Sequence, residues 1–438
     1  MKIYDVIGIG IGPFNLGLAA LLDDKPIDSI FFDKKEGFCW HPGLMMDWTT
    51  LQVPFLADLV TMADPTSRFT FLNYLKEKNR LYKFYFKEDF FIPRQEYNDY
   101  CLWVAQSCNS CKFGYEVTNI ERIEGSSSEL WSVTVQDKQN NKQEYFTKNI
   151  VLGLGTVPQL PPQLSNLENV HHSSEYLDIK TQALKDPHIT IIGSGQSAGE
   201  IFLDLMRSKS DSTKITWLTR SKGFFPMEYS KLGLEHFSPD YIDYFYNLSS
   251  REKPKLIKEQ DLLYKGISAQ TISDIYDVLY DQTIQNKDSA ELIANAEFIA
   301  MSDNSPELNC YFYHKQQDKD FLVKTDRVIA ATGYKTNINP AITNIDKLIV
   351  RGENSCLKVT KDYKLITKNT NLNIFIQNAE MHTHGVGAPD LGLGAYRNTI
   401  IANKLLNKEV YKIPANCIFS SFGVPKKYLT RKTNIEVA

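Results

Sequence analysis

Short apolar runs, each closed by a glycine-rich turn, recur along the chain and outline its architecture. Residues 3–8 (I-Y-D-V-I-G) predict a strand, and residues 16–22 (L-G-L-A-A-L-L) a helix behind it. The next strand is S-I-F-F-D at 29–33. The same order returns at 190–200 (T-I-I-G-S-G-Q-S-A-G-E), a strand and glycine turn opening a helix, followed by the strand K-I-T-W-L-T-R at 214–220. Two more apolar strands leave through glycine, V-L-G-L-G-T-V-P at 151–158 and D-R-V-I-A-A-T-G-Y at 326–334. Such exits are where a chain crosses between two nested units. Residues 270–285 place Ile272, Ile275, Tyr276 and Leu279 at helical spacing, which assigns these positions to a core. The aromatic stretch L-Y-K-F-Y-F-K-E-D-F-F at 81–91 reads as a buried hairpin; its lysines and acids argue against a membrane anchor.

The two glycine turns carry the first chemistry. Gly8 permits a tight turn after the first strand, and Gly10 lets backbone approach a pyrophosphate seated on the following helix N-terminus. Gly12 precedes Pro13, which takes the usual third glycine position and suits the first turn of a helix. Asp33 closes the next strand, where an acid suits a ribose hydroxyl pair. In the second unit Gly193 and Gly195 form the turn and Ala198 takes the third position. Its next strand ends in Arg220, with Lys222 close behind, so cations stand where the first unit has a carboxylate. That pair fits a 2′-phosphate, unless both are simply solvated surface cations. The duplication therefore reads as FAD at the first turn and NADPH at the second, one dinucleotide reducing the other.

Composition narrows the class. A chain of 438 residues suggests two or three domains, and a net charge of −3 supplies no positive field for nucleic acid or anionic membrane. No apolar run is long enough to span a bilayer, and the N-terminal residues do not read as a signal peptide. Seven scattered cysteines suggest reduced thiols and a cytoplasmic location. Cys108 and Cys111 form a C-x-x-C without a second pair, read as ordinary thiols at a helix end. His382 and His384 could face a metal from one strand, but with no third histidine nearby they read as a structural or cofactor-lining loop, and no metal is expected.

Four blocks point to a family. Gly10-x-Gly12-Pro13, Trp40-His41-Pro42, F-L-A-D-L-V-T-M-A-D-P-T-S at 55–67, and Q-N-A-E-M-H-T-H-G-V-G-A-P-D-L-G-L at 377–393 occur in the order seen in flavin-dependent N-hydroxylating monooxygenases. The chain resembles that family, whose members act on lysine, ornithine or diamines in siderophore synthesis. The resemblance implies an α/β fold of two nested Rossmann-like dinucleotide-binding domains with a small, mostly helical substrate segment. The boundaries expected are 1–160 for the first part of the FAD domain and 161–230 for the first part of the NADPH domain. The helical segment would take 231–290, the rest of the NADPH domain 291–336, and the rest of the FAD domain 337–438. By the same resemblance Trp40, His41 and Gln52 would lie along the flavin, with Asp390 and Leu391 in a loop closing over it. Gln196, Ser197, Arg220 and Lys222 would grip NADPH. NADPH would reduce FAD, and a flavin C4a-hydroperoxide formed with O₂ would hydroxylate an amine. No side chain would act as nucleophile, and relatives assemble as tetramers or dimers.

One departure bears on substrate. Amino-acid-using relatives read F-L-K-D-L or F-I-K-D-L, and the lysine meets the substrate's α-carboxylate; here the position is Ala57. Burying a carboxylate without a cation costs several kcal/mol. A diamine such as putrescine or cadaverine avoids that cost. The chain also has L-L-Y-K-G-I-S at 262–268, without the Asn-Tyr-Ser segment of the ornithine enzymes. The competing reading is a lysine N6-monooxygenase in which another cation, such as Lys265, serves the carboxylate. A dithiol reductase and a flavin carrier without hydroxylation are the rivals from other classes.

Overall fold

The computed structural model describes residues 2–124, 129–164, 167–287, 289–304, 307–337, 340–352, 355–368 and 370–429. Its first sheet is built from both ends of the chain. The strand Ile3–Ile9 lies parallel between Ser29–Asp33 and Lys142–Leu152, and Cys111–Phe113 extends the parallel edge beyond Ser29–Asp33. The long strand Lys142–Leu152 uses its other edge twice. Its first half pairs antiparallel with Glu129–Asp137 and through it with Tyr115–Glu124; its last residues pair parallel with Asn373–Ile376.

The apolar alternation of these strands sorts side chains into two cores. Val6, Phe31, Val151 and Phe375 face the helices Pro13–Leu22, Arg94–Ser107 and Gly394–Leu405. Their neighbours Ile7, Ile30, Ile150 and Ile374 face the other side, with Trp131 and Val133 of the antiparallel strands. Successive strand residues point to opposite faces, so buried parallel strands need apolar residues at nearly every position.

The second sheet is wholly parallel, in the order Ala290–Ile293, Lys214–Leu218, His188–Ile192, Arg327–Ala330, Val170–His172. Helices Gln196–Ser208 and Ala269–Ile284 cover one face, and the antiparallel strands Ala296–Asn304, Glu307–His314 and Lys319–Thr325 bring Leu308 and Phe312 to the other. The two glycine exits meet where Thr156–Pro158 pairs antiparallel with Tyr334–Thr336.

Within 231–290 the helices divide. Pro239–Tyr246 and Glu252–Glu259 stand beside the cleft, whereas Ala269–Ile284 packs on Gln196–Ser208 as part of the second sheet's helical layer. Its Ile275 is buried, with Ile272 and Leu279 partly so, but Tyr276 is 69% exposed and is not core as expected. One residue turns the helix by about 100°, which carries Tyr276 off a narrow apolar stripe. The stretch 81–91 is likewise not a buried hairpin. Leu81–Lys87 is a helix; only Phe84 turns inward, onto Phe55 and Phe71, while Tyr82, Tyr85, Phe86 and Phe90 stand in solvent. Aromatic richness favours strands only where a pleated surface receives the side chains, and none is offered here. Among the described residues no helix is long and apolar enough to cross a membrane.

Candidate active site between two nucleotide turns

Each glycine turn adopts the conformation that its chemistry requires. Gly10 has φ +83°, and an added Cβ would stand 2.2 Å from the Gly153 carbonyl oxygen. Gly193 has φ +141°, and its Cβ would stand 2.4 Å from the Ala331 carbonyl oxygen. A side chain at either position meets rigid backbone in a conformation that L-residues rarely adopt. The next glycine in each turn is open: a Cβ on Gly12 meets nothing within 4 Å, and one on Gly195 meets only the Lys265 carbonyl oxygen at 3.6 Å. Each open position caps a helix, Pro13–Leu22 with proline in its first turn and Gln196–Ser208. Two uncrowded helix N-termini are the receptors that two pyrophosphates need.

Both turns open on one cleft of about 2460 Å³. Single small-molecule sites occupy about 300–1,000 Å³, so this volume suits two dinucleotides with a substrate between them. From the first unit Gly10, Gly12, Pro13 and Asp33 line it, as do Trp40, His41, Gln52 and Ala57 from the following segment and Asp390 and Leu391 from near the C-terminus. From the second unit Gly193, Gly195, Gln196, Ser197 and Arg220 line it. Two expected positions do not. Gly8 is a packing glycine, since a Cβ there would lie 2.0 Å from the Phe31 ring. Lys222 is exposed and outside the lining, and the cation facing the cleft at this edge is Arg220.

Several side chains are committed to the walls. Asp33 Oδ2 accepts from Ile11 N at 2.7 Å and Oδ1 from Lys35 N at 2.9 Å, so the acid braces the turn while facing the cleft. The Gln196 amide, expected to grip NADPH, is used within the protein. Its Oε1 accepts from Ser268 N at 2.7 Å, and Nε2 donates to Glu200 Oε1 at 2.9 Å and Thr271 Oγ1 at 3.1 Å. Gln52 lies across from the second unit, its carbonyl accepting from Tyr229 Oη at 2.5 Å. His41 sits at φ +48°, its ring edge-on to Trp40. The surrounding walls, with the charges of Arg94 and Lys35, lower its imidazole below the usual range, although the residue is exposed.

Sequence patterns missed two members of this wall. Asn15, fully buried, donates Nδ2 to the Gly10 carbonyl at 2.8 Å and accepts from Gln377 Nε2 at 2.7 Å. Gln377 lines the cleft, and its buried Oε1 has no hydrogen-bond partner among the described residues. A lone asparagine inside an apolar helix was the available signal for Asn15, and for Gln377 its place at the head of the 377–393 block.

The C-terminal loop contributes the most unusual group. Asp390 accepts from Gly392 N at 2.8 Å and caps the short turn Leu391–Leu393. Burial pushes its carboxyl up to about 6, against the opposing pull of the Gly392 and Leu393 amides and of Arg397. It neighbours Ala57 across Gly392, where an added Cβ would lie 2.9 Å from Asp390 Oδ1 and 3.7 Å from Ala57 Cβ. Behind the loop, Arg397 pairs with fully buried Glu380 at 3.0 Å and donates to the Ala388 carbonyl.

The two histidines nearby sit on the short helix Met381–His384 rather than a strand, and His382 lines the cleft. His384 stacks on Tyr363 with ring centroids 4.3 Å apart, and His382 Nε2 bonds the Leu357 carbonyl at 2.6 Å. All seven cysteines are free thiols, and Cys108 and Cys111 lie outside the cleft, which leaves a dithiol reductase without its cysteine pair.

Comparison with known proteins agrees with this geometry. Residues 2–336 match the family described as L-lysine 6-monooxygenase/L-ornithine 5-monooxygenase. A putrescine N-hydroxylase of Shewanella oneidensis is 43% identical over 425 residues, covering 96% of this chain and 84% of its own. The FAD-bound structure of a cadaverine monooxygenase from the desferrioxamine pathway of Erwinia amylovora superposes with a TM-score of 0.92 at 37% identity, covering 97% of this chain and 99% of its own. An ornithine N-hydroxylase of Kutzneria sp. 744, solved with reduced FAD, NADP⁺ and L-ornithine, superposes with a TM-score of 0.87 at 25% identity, covering 93% and 99%. With two open phosphate cradles facing one cleft, this chain belongs to the L-lysine 6-monooxygenase/L-ornithine 5-monooxygenase family, flavin-dependent N-monooxygenases that use FAD and NADPH.

Proposed function

We propose that this enzyme N-hydroxylates a terminal amine of an aliphatic diamine, putrescine or cadaverine, for siderophore biosynthesis. The observation that carries the reading is the half-buried carboxylate of Asp390 beside the methyl group of Ala57 in the cleft wall. Beyond the reacting amine a diamine presents an ammonium alone, whereas lysine or ornithine presents an ammonium and, on the same carbon, a carboxylate. Asp390 attracts the ammonium and repels the carboxylate, and Ala57 offers the carboxylate no cation. Lys265, the alternative cation, is held by Asp261 at 2.6 Å.

In this reading Gly10, Gly12, Pro13 and Asp33 hold the FAD pyrophosphate and ribose, and Trp40, His41, Gln52 and Leu391 flank the flavin. Gly193, Gly195, Ser197 and Arg220 hold NADPH, with Lys222 adding charge from outside the lining. Reduced by NADPH, bound FAD supplies activated oxygen. The protein's own part is to place the amine, keep it neutral and keep water away. An alkylammonium of pKa about 10.4 costs roughly 4–5 kcal/mol to deprotonate at pH 7. Apolar lining such as Leu51, Leu56, Phe237 and Leu263 lowers that cost by disfavouring the charged form. Asp390 stabilises the charge at the distal end only, so one end of the diamine stays an ammonium while the other reacts. The neutral His41 imidazole adds no positive charge to repel the substrate.

Self-association and a cytoplasmic setting complete the reading. The exposed aromatics of Leu81–Phe90 form the kind of patch that a second copy covers, and seven free thiols suit a reducing compartment.

The decisive experiment offers putrescine, cadaverine, lysine and ornithine to the FAD-loaded enzyme with NADPH and O₂, and measures hydroxylamine against NADPH consumed. Coupled hydroxylation of a diamine is expected; coupled hydroxylation of lysine alone would overturn the substrate assignment.

A further inference from the structure

The wall that carries Trp40 and His41 is rooted in the opposite nucleotide unit. Leu44 and Met46 are buried in the core around Tyr176, Ile201, Leu205 and Trp217 of the second sheet. Gly43 lies flat on the chain at Ser174, where a Cβ would stand 1.8 Å from the carbonyl oxygen. Trp48 Nε1 donates to Asp204 Oδ1 at 3.1 Å. At the centre is a bidentate ion pair. Arg94, first residue of the helix Arg94–Ser107, donates through Nη2 to Glu200 Oε1 at 2.6 Å and through Nη1 to Glu200 Oε2 at 3.0 Å. Its Nη1 also holds the Leu44 carbonyl at 2.7 Å. Glu200 is 2% exposed and sits one turn into the helix that Gly195 caps. It accepts the Gln196 amide, which in turn fixes Ser268 and Thr271. One connected network thus runs from the His41 wall to the first turn of the NADPH-binding helix.

We infer that Arg94 and Glu200 form a registration clamp, a pair of positioning residues that sets the second phosphate cradle at a fixed distance from the flavin-flanking wall. A buried ion pair contributes little net stability, because removing two charges from water offsets most of their attraction. A bidentate guanidinium–carboxylate pair does impose a direction, which a packed apolar contact does not. Hydride transfer from one bound dinucleotide to the other depends on that placement, and a displacement of about 1 Å costs on the order of a hundredfold in rate. The clamp touches neither reacting group and acts only through the position of the two walls.

The test separates registration from stability. Arg94→Met with Glu200→Leu replaces the pair by apolar side chains of similar size, and Glu200→Gln keeps the shape while removing the charge. The double variant is expected to melt near the wild-type temperature and to retain FAD. Its flavin reduction at saturating NADPH should slow by roughly tenfold to a hundredfold, with NADP⁺ affinity changed much less. Backbone amide exchange, which needs no turnover, should rise across both residues 42–48 and 196–208. Should the double variant fail to fold, the same measurements on Glu200→Gln decide. Wild-type reduction at saturating NADPH, or unchanged exchange in both segments, overturns the clamp.

Discussion

The two nucleotide cradles share a backbone and differ in what surrounds it. At the first, the acid ending the second strand is turned onto its own loop, Asp33 on Ile11 N, and the floor is a buried amide pair, Asn15 with Gln377, reaching the C-terminal segment. At the second, the corresponding strand ends in an exposed arginine facing the cleft, and the polar groups of the first helical turn are spent on Glu200, Ser268 and Thr271. On the proposed function, the repeated part would take what dinucleotides share, a pyrophosphate, and the unrepeated rim would take what distinguishes them.

The largest expected effect breaks the repeated part itself. Gly10→Ala forces a methyl group against the Gly153 carbonyl and should yield protein without bound FAD, seen as loss of flavin absorbance. Gly193→Ala should leave the protein yellow but slow NADPH oxidation by roughly a hundredfold, since about 3 kcal/mol of strain and collision falls on the second cradle alone. Loss of flavin from both variants would show that the cradles are not independent.

Next comes the asymmetry of the substrate site between them. Asp390→Asn should raise the KM for putrescine or cadaverine about thirtyfold, equivalent to roughly 2 kcal/mol for a lost charged hydrogen bond, with flavin reduction by NADPH little changed. Acid should mimic it. The Asp390 carboxyl titrates near about 6, and a bound ammonium favours its ionised form. Relative to Asp390→Asn, which carries the same titration of the amine, diamine KM should therefore rise by an extra factor of about ten per unit below that pH, and the ratio of the two should be flat above it.

The smallest effects sharpen the contrast of rims. Arg220→Ala should raise the KM for NADPH about tenfold and leave that for NADH unchanged, the signature of a contact to the 2′-phosphate. Lys222→Ala, outside the cleft lining, should change the NADPH value only about twofold, through a solvent-screened charge.

Much of this comparison is legible in short stretches of the sequence. Glycine spacing, the proline at Pro13 and the charge ending each second strand act over a few residues, so sequence neighbours suffice to read them. Ala57 was legible as an absence, a missing cation in a familiar block. The misses share a cause. Phe84 and Tyr85 are chemically alike, and only the location of Phe55 and Phe71 decides which of them is partly covered. Tyr276 left the core because the facing helix covers a stripe narrower than the apolar pattern implied. Gln196 lines the cleft as expected, but only the fold shows that Glu200, Ser268 and Thr271 also engage its amide.

The amino-acid order alone determined two glycine turns that each open a helix, the opposite charges that end the strands after them, and an alanine at position 57, because local backbone freedom and side-chain charge are properties of short segments. Only the folded chain decided that Asp390 stands beside Ala57, that Gln377 closes on Asn15, and that Arg94 grips Glu200. Those pairings join residues from about one hundred to more than three hundred positions apart, and which distant polar groups meet depends on how the two sheets and their helices pack.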